Sequence, residues 1–404
     1  MTIVADENIP CVPELFGRFG KVRQLAGRDL YIHNLRDADV LLVRSVTAVN
    51  RALLHGSSVK FVGSATIGTD HIDLPYLTES DIAFAHAPGS NADADADYVT
   101  AAVFRLAVRR GEVLQNKVVG IVGAGEIGGR LARRFTAMGN RVLLNDPPLE
   151  AARQTEGQGH DYLTLDKVLK EADIVSVHVP LVYDRPHPTF HLLDEYRLGR
   201  LKRGSWFVNT SRGSVVDNNA LVKCLRDRAA PAAVVLDVWE HEPEPDPELV
   251  RRVDLATPHI AGYALDAKIR GAKQLYEAFR QYIGNKDRED EGSVTSGRTL
   301  SHARAVSFAD ECTDCHPVKT GVPDPILPQT DWLDMFVRHM YDIEADDDAM
   351  RGIAGCKDTD GPGFSLLRRN YPMRREFAAH FVPRSMVPVD RQHVVEQAIG
   401  VRLQ

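Results

Sequence analysis

The sequence predicts an α/β protein with two doubly wound parallel-sheet (Rossmann-like) domains and a small C-terminal α+β domain. Three observations carry that prediction. Short apolar runs alternate with helical patterns over residues 1 to about 95 and again from 118 to about 256. Most of these runs end in polar or small residues. One of them, 118–122, breaks directly into Gly123-Ala124-Gly125-Glu126-Ile127-Gly128. Runs that are apolar throughout, rather than alternating, are typical of strands buried on both faces.

In the first stretch, residues 2–5, 40–43 and 59–63 read as parallel strands. They end in Asp6-Glu7-Asn8, Arg44-Ser45 and Ser64-Ala65-Thr66. Ligands of open α/β sheets bind beyond the carboxyl ends of strands. Arg44, Ser45 and Thr66 are therefore substrate-site candidates by position, although a strand-end serine or threonine serves equally well as a cap or turn. Residues 92–110 read as a long helix with Tyr98, Val99, Ala102, Val103, Leu106 and Ala107 on one apolar stripe.

The glycine run that follows has the spacing G-x-G-x-x-G. Gly123 suits a tight turn, Gly125 lets the backbone approach a pyrophosphate, and Gly128 lets the next helix pack on the strand. That helix shows Ile127, Leu131, Phe135 and Met138 at intervals of three and four, and its N-terminus offers free N–H groups to phosphates. Residues 141–145 read as the second strand, closed by Asp146, eighteen residues beyond Gly128. A carboxylate there accepts hydrogen bonds from a ribose diol and favours NAD over NADP.

The alternation continues through 174–178, 205–209 and 233–237, and residues 255–263 open a last amphipathic helix, 264–283. Residues 285–293 carry no hydrophobic side chain and read as a linker into a region richer in proline. The expected organisation is 1–95 plus 257–285 as a substrate domain, 96–256 as an NAD-binding domain, and 286–404 as linker, C-terminal dimerisation domain and tail.

Three segments end at the expected cofactor crevice, and each brings a reactive group. Asn209-Thr210-Ser211-Arg212-Gly213 supplies a guanidinium able to hold an α-hydroxy carboxylate by two parallel hydrogen bonds. Asp237-Val238-Trp239-Glu240-His241-Glu242-Pro243 supplies carboxylates, and Thr257-Pro258-His259 an imidazole. Oxidising a hydroxyl requires a base for its proton, and a histidine titrates close to working pH. A paired carboxylate orients the ring and stabilises its charged form. Singly these are ordinary surface or turn residues; together, after successive strands, they form a catalytic set.

Composition narrows the function further. The chain has 404 residues, 44% hydrophobic and 26% charged, which suits two or three globular domains. A net charge of −7 argues against a general nucleic-acid or membrane-surface binder. The first residues show no signal-peptide pattern, no run approaches membrane-spanning length, and five scattered cysteines fit a reducing cytoplasm.

The motifs G-x-G-x-x-G, N-x-x-R-G at 209–213, D-V-W-E-x-E-P at 237–243 and P-H-I-A-G at 258–262 resemble, in register, those of the D-isomer-specific 2-hydroxyacid dehydrogenases. Narrower marks at 5–10, 43–47, 68–71, 145–148 and 187–192 extend the resemblance over about 1–285. It returns at 340–343 and 367–377. The resemblance implies an NAD-dependent oxidoreductase acting on the CH–OH group of a small phosphorylated hydroxy acid. It implies Arg212, Glu242 and His259 as the catalytic set, with His259 as proton acceptor in oxidation. Ser45, Thr66 and Tyr263 fall on substrate positions. Asp146, Val179, Thr210, Ser211, Arg212, Asp237 and Gly262 fall on NAD positions. Ser211 stands where relatives often have cysteine, and Asp95 where a valine facing the cofactor cleft is expected.

For the C-terminal region the expectation is a homodimerisation module that buries Trp332, Met335, Phe336, Leu366, Leu367 and Phe377 against a partner subunit. From it Arg351 reaches a substrate phosphate. No metal is expected. Cys312-Thr313-Asp314-Cys315-His316 matches the C-x-x-C-H pattern of covalent haem, but its surroundings hold too little apolar sequence to wrap one. Two readings compete with the main one: another phosphorylated D-2-hydroxyacid dehydrogenase, such as one acting on 3-phosphoglycerate, and a non-catalytic NAD-sensing corepressor or scaffold of the same fold.

Overall fold

The computed structural model describes residues 1–155, 162–184, 186–227, 231–290, 323, 326–354 and 363–404. The chain forms two compact units. One comprises Met1–Asn91 with the helix that starts at Leu265; the other comprises Ala92–Ala264 with the C-terminal segment.

The first unit is a parallel sheet of β1 (Thr2–Asp6), β2 (Lys21–Leu25), β3 (Val40–Val43), β4 (Phe61–Ser64) and β5 (Ala83–His86), in the order β2-β1-β3-β4-β5. Three of these strands were legible as apolar runs. β2 is an edge strand, Lys-Val-Arg-Gln-Leu, with two exposed residues, so its pattern is only half apolar. β5 is short and built on Ala83, Phe84, Ala85 and His86. The helix Leu265–Asp290 packs Ala272, Leu275 and Phe279 onto one face of the sheet, against Phe16, Leu42 and Phe61. It runs past the expected end at 283, because residues 286–290 contain neither glycine nor proline and include the good helix formers lysine, arginine and glutamate.

The second unit is a parallel sheet of β6 (Val118–Val122), β7 (Arg141–Asn145), β8 (Ile174–Val177), β9 (Trp206–Asn209), β10 (Ala233–Leu236) and β11 (Leu255–Ala256), in the order β11-β10-β9-β8-β6-β7. Tyr162 makes a single parallel bridge to Leu144 on β7. Chain order reverses between β6 and β8, and such a switch point opens a ligand crevice at the carboxyl ends of the strands. The helix Ala92–Arg110 has the predicted bounds and is buried over most of its length, including Asp95 and Asp97.

The C-terminal segment joins this second core. Trp332, Phe336 and Phe377 lie in the same apolar cluster as Tyr98, Phe104 and Phe135. This corrects the expectation that they bury against a partner subunit: the long helix and the helix Glu126–Ala137 present apolar faces within the same chain. Met335 and Leu366, by contrast, are exposed. The segment after 383 folds back, with β12 (Phe381–Val382) pairing in parallel with β13 (Arg402–Leu403). Residues 312–316 lie outside the described residues.

Candidate active site

Three neighbouring strands deliver the reactive groups, with Arg212 following β9, Glu242 following β10 and His259 following β11. The turn that carries His259 is organised by Asp237, which is buried. Its Oδ1 accepts from the Thr257 hydroxyl at 2.6 Å and the Ile260 N–H at 2.8 Å, and its Oδ2 from the Ala261 N–H at 2.9 Å. The Thr257 proton is thereby committed, so the Tyr98 hydroxyl, 2.6 Å away, donates to Thr257. This over-determined turn holds His259 at φ 57°, in the left-handed region. Such a conformation costs a non-glycine residue about 1–3 kcal/mol and persists only where the surroundings enforce it.

His259 Nδ1 lies 2.8 Å from Glu242 Oε2. A carboxylate can only accept, so Nδ1 carries the hydrogen, and in the neutral ring Nε2 is the nitrogen with the lone pair. The second Glu242 oxygen accepts from the Trp239 N–H at 2.9 Å. Burial pushes the Glu242 carboxyl upward, but the charge of His259 and its hydrogen bond, with Arg368 and the Trp239 N–H, outweigh it. The net result is a carboxyl below its ordinary range.

The Arg212 loop is tied by Asn209, whose Oδ1 accepts from the Ser211 N–H and hydroxyl at 3.0 and 2.7 Å. A Cβ at Gly213 would stand 2.0 Å from the Trp239 carbonyl oxygen, so only glycine lets this loop pass the one that carries Glu242. That close approach explains the glycine of N-x-x-R-G.

The glycine loop has the geometry its spacing predicts. Gly123 has φ +90°, a Cβ at Gly128 would stand 1.9 Å from the Gly123 oxygen, and a Cβ at Gly125 would meet nothing within 4 Å. The Asp146 carboxylate accepts from the Ala124 N–H at 2.8 Å and the Leu149 N–H at 3.0 Å, so it braces the loop. Thr210 and Ser211 are buried, and Val179 follows His178 at the end of β8. Sequence reasoning did not single out His178. Desolvation pushes its pKa down to about 3, and the ring lies within hydrogen-bonding distance of Ser176 (2.7 Å) and Thr210 (3.3 Å).

In the first unit, Arg44 and the exposed Ser45 follow β3, and Thr66 follows β4. The Thr66 hydroxyl donates to the Gly68 carbonyl at 3.0 Å and so accepts from Ser64 at 2.7 Å. Ser64 in turn accepts from His71 Nε2 at 2.9 Å. Thr66 therefore has no hydroxyl proton left for an anion while this chain of bonds holds.

Arg351 is not a site residue. It donates to the Val250 and Val253 carbonyls at 2.8 Å and pairs with Asp347 at 2.9 Å. Those carbonyls precede β11, at the amino end of the sheet, whereas His259 follows it. A second feature the sequence did not reveal is His191, whose Nε2 lies 2.5 Å from Glu240 and whose Nδ1 lies 4.0 Å from Asp217. Only the Glu240 contact is within hydrogen-bonding distance.

Asp95 is 4% exposed and does not point outward. Burial first, and the like charge of Asp237 second, hold its carboxyl well above the usual range, against the pull of Arg374 and Arg212. A raised folded-state pKa means the native protein retains a proton that the unfolded chain releases. The associated stability is complete below the unfolded carboxylate pKa and is lost as pH rises toward the folded value. Asp95→Asn is therefore expected to raise Tm, with a gain that grows from pH 4 to pH 8 and reaches roughly 2–4 °C. A gain independent of pH would show that Asp95 is already ionised in the fold.

A glycine loop at a switch point, a carboxylate closing the second strand and an arginine–glutamate–histidine set after three adjacent strands together define an NAD-dependent dehydrogenase of hydroxy acids. Comparison with known proteins agrees. Residues 76–261 match the family description "D-isomer specific 2-hydroxyacid dehydrogenase, NAD binding domain", and 327–399 match "Domain of unknown function (DUF3410)". The chain is 48% identical to the erythronate-4-phosphate dehydrogenase of Salinibacter ruber, over 100% of this chain and 99% of that one. It is 44% identical to that of Ectopseudomonas mendocina over 93% of each. The NAD- and lactic-acid-bound D-lactate dehydrogenase of Aquifex aeolicus shares the fold, with TM-score 0.58 and 23% identity, covering 74% of this chain and 100% of that one. So does the NAD-bound 3-phosphoglycerate dehydrogenase of Entamoeba histolytica, with TM-score 0.60 and 22% identity, covering 71% and 96%. The chain belongs to the erythronate-4-phosphate dehydrogenase family, within the D-isomer-specific 2-hydroxyacid dehydrogenases. It is an NAD-dependent oxidoreductase.

Proposed function

We propose that the chain oxidises 4-phospho-D-erythronate at C2 to (R)-3-hydroxy-2-oxo-4-phosphooxybutanoate, a step of pyridoxal 5'-phosphate (vitamin B6) biosynthesis in the cytoplasm. The observation that carries the chemistry is the His259–Glu242 pair, in which Nδ1–H is fixed on a carboxylate and Nε2 can accept a proton. The substrate follows from the names of relatives 48% and 44% identical to this chain. NAD, when bound, accepts the hydride. Gly123, Gly125, Gly128, Asp146, Val179, Thr210, Ser211, Asp237 and Gly262 serve its binding. Arg212 holds the substrate carboxylate, His259 takes the hydroxyl proton, and Glu242 stabilises the imidazolium that forms. Arg44, Ser45 and Tyr263 bind the remainder of the substrate, and Thr66 joins them once its hydroxyl exchanges the Gly68 carbonyl for the substrate. A homodimer assembled through the C-terminal segment completes the proposal; light scattering of the purified protein tests it.

The test of the reaction is a panel of phosphorylated and plain D-2-hydroxy acids followed by NADH absorbance. The proposal requires 4-phospho-D-erythronate to give the highest kcat/KM. Preference for 3-phosphoglycerate would assign a different substrate, and no turnover with any acid would favour an NAD-sensing scaffold. Cofactor choice gives a second check. Asp146→Ala removes charge-assisted hydrogen bonds and the charge that repels a 2'-phosphate, so the NAD-over-NADP preference should fall about tenfold or more. Equal use of both cofactors by the unaltered enzyme would contradict this role of Asp146.

A further inference from the structure

Residues 327–399 match a family description that assigns no role, and none of the groups given a catalytic part above lies in them. We propose that this segment positions the proton-transfer turn, with Arg374 as the residue that does so. The turn is fixed on its N–H side by Asp237, which takes the Ile260 and Ala261 donors. On its carbonyl side it is fixed by Arg374, whose Nη2 donates to the Ala261 oxygen. The same nitrogen lies 3.4 Å from the Ala94 oxygen of the long helix, so one guanidinium ties the turn to the helix beside it.

Arg374 is 6% exposed, and its own placement is locked. Its guanidinium carbon sits 4.5 Å above the Tyr341 ring. The Tyr341 and Tyr371 hydroxyls both donate to Asp346 Oδ2 at 2.8 Å. Three residues on, the Phe377 N–H donates to Asp97 Oδ2 at 2.8 Å, while Asp97 Oδ1 accepts from Arg134 at 2.6 Å. Tyr263, at the far end of the turn, meets the Tyr371 ring edge-on at 5.9 Å and lies 5.4 Å under the Arg368 guanidinium. The segment therefore grips both Ala261 and Tyr263.

The guanidinium is not arranged to satisfy itself, since its Nη1 is buried with no hydrogen-bond partner among the described residues. A buried donor left unmade is costly, so the bond to the turn and the stacking on Tyr341, rather than full satisfaction of the guanidinium, go with its position. His259 holds a left-handed backbone conformation that must be enforced from outside, and a displacement of ~1 Å at a reacting group can cost about 10²-fold in rate.

This inference rests on His259 as the proton acceptor, and the test keeps the two apart. Arg374→Met is compared with Arg105→Met in the full-length protein. Arg105 also joins the long helix to the C-terminal segment, through a 2.7 Å pair with Asp334, but touches no part of the turn. The expected result is that Arg374→Met lowers kcat by about 10²-fold while KM for NAD and NADH affinity change less than about threefold. Arg105→Met lowers Tm and leaves kcat within about twofold. Equal kcat losses in the two variants, or an Arg374→Met enzyme with unaltered kcat, overturn the proposal. If Arg374→Met does not fold, Arg374→Lys and Arg105→Lys carry the same comparison: a loss of about tenfold or more confined to Arg374→Lys is required, because an ammonium lacks the planar fork. A parallel His259→Asn variant that stays active removes the histidine assignment. An inactive His259→Asn beside an unimpaired Arg374→Met removes Arg374 alone.

Discussion

Replacing His259 by asparagine is expected to lower kcat by about 10²–10⁴-fold, the usual worth of general acid–base catalysis. The amide keeps a polar group of similar reach but cannot take a proton from the substrate hydroxyl. NAD affinity should be preserved, because the turn is held by Asp237 through backbone N–H groups and the Thr257 hydroxyl rather than through the imidazole. Fluorescence titration with NADH, alongside steady-state turnover, separates the two effects. A loss below about tenfold at saturating substrate would remove His259 as the base. Glu242→Gln gives the companion measurement. Neutralising that carboxylate should reduce kcat while leaving NADH affinity intact, because the imidazolium formed in the reaction loses its counter-charge. An unaltered kcat would mean that the 2.8 Å pair plays no part in the proton transfer.

The sequence was most informative where a physical requirement is local. A parallel strand buried on both faces must be apolar throughout, so β6, β8, β9 and β10 could be read within a residue or two. The glycine loop was legible because Gly123 and Gly128 answer steric demands within a few residues or from the adjacent strand, such as the 1.9 Å approach at Gly128, while Gly125 leaves open space. The edge strand β2 escaped because exposure relaxes the demand for apolar residues. Arg212, Glu242 and His259 could be named because each follows a strand. Their support could not: the Tyr98–Thr257–Asp237 chain joins residues 159 and 20 positions apart. The error over the C-terminal arginines has the same origin. Arg351 and Arg374 are equally charged in sequence, and only the fold puts one on carbonyls at the amino end of β11 and the other on the Ala261 carbonyl. Asp95 combines both lessons. Its position on the long helix was legible, whereas its burial and the influence of Asp237, Arg374 and Arg212 on it depend on segments far along the chain.

Deleting everything after Asn285 is expected to give an insoluble or unfolded protein. The segment is not an appendage to a finished core. Trp332, Phe336, Phe377, Val395 and Ile399 are at most 1% exposed and share one cluster with Tyr98, Val103 and Phe104 of the long helix and Leu131 and Phe135 of the helix that starts at the glycine loop. Burying a side chain of this kind contributes about 1.5–3 kcal/mol, so these five alone account for on the order of 10 kcal/mol. That equals the whole net stability of an ordinary domain, roughly 5–15 kcal/mol. The deletion also leaves Arg105 without Asp334, and the buried Asp97 without the Phe377 N–H. Burial pushes Asp334 up to about 6 even beside Arg105, a sign of how dry that contact is. Trp332→Ala isolates the packing contribution. It should cost about 3–5 kcal/mol and be visible as a lower midpoint in urea while the purified protein remains folded. The truncated chain should fail to give a cooperative melt at any protein concentration, because the lost contacts lie within one chain. A soluble truncated protein that melts cooperatively and binds NADH would show that the dinucleotide unit is complete without the segment.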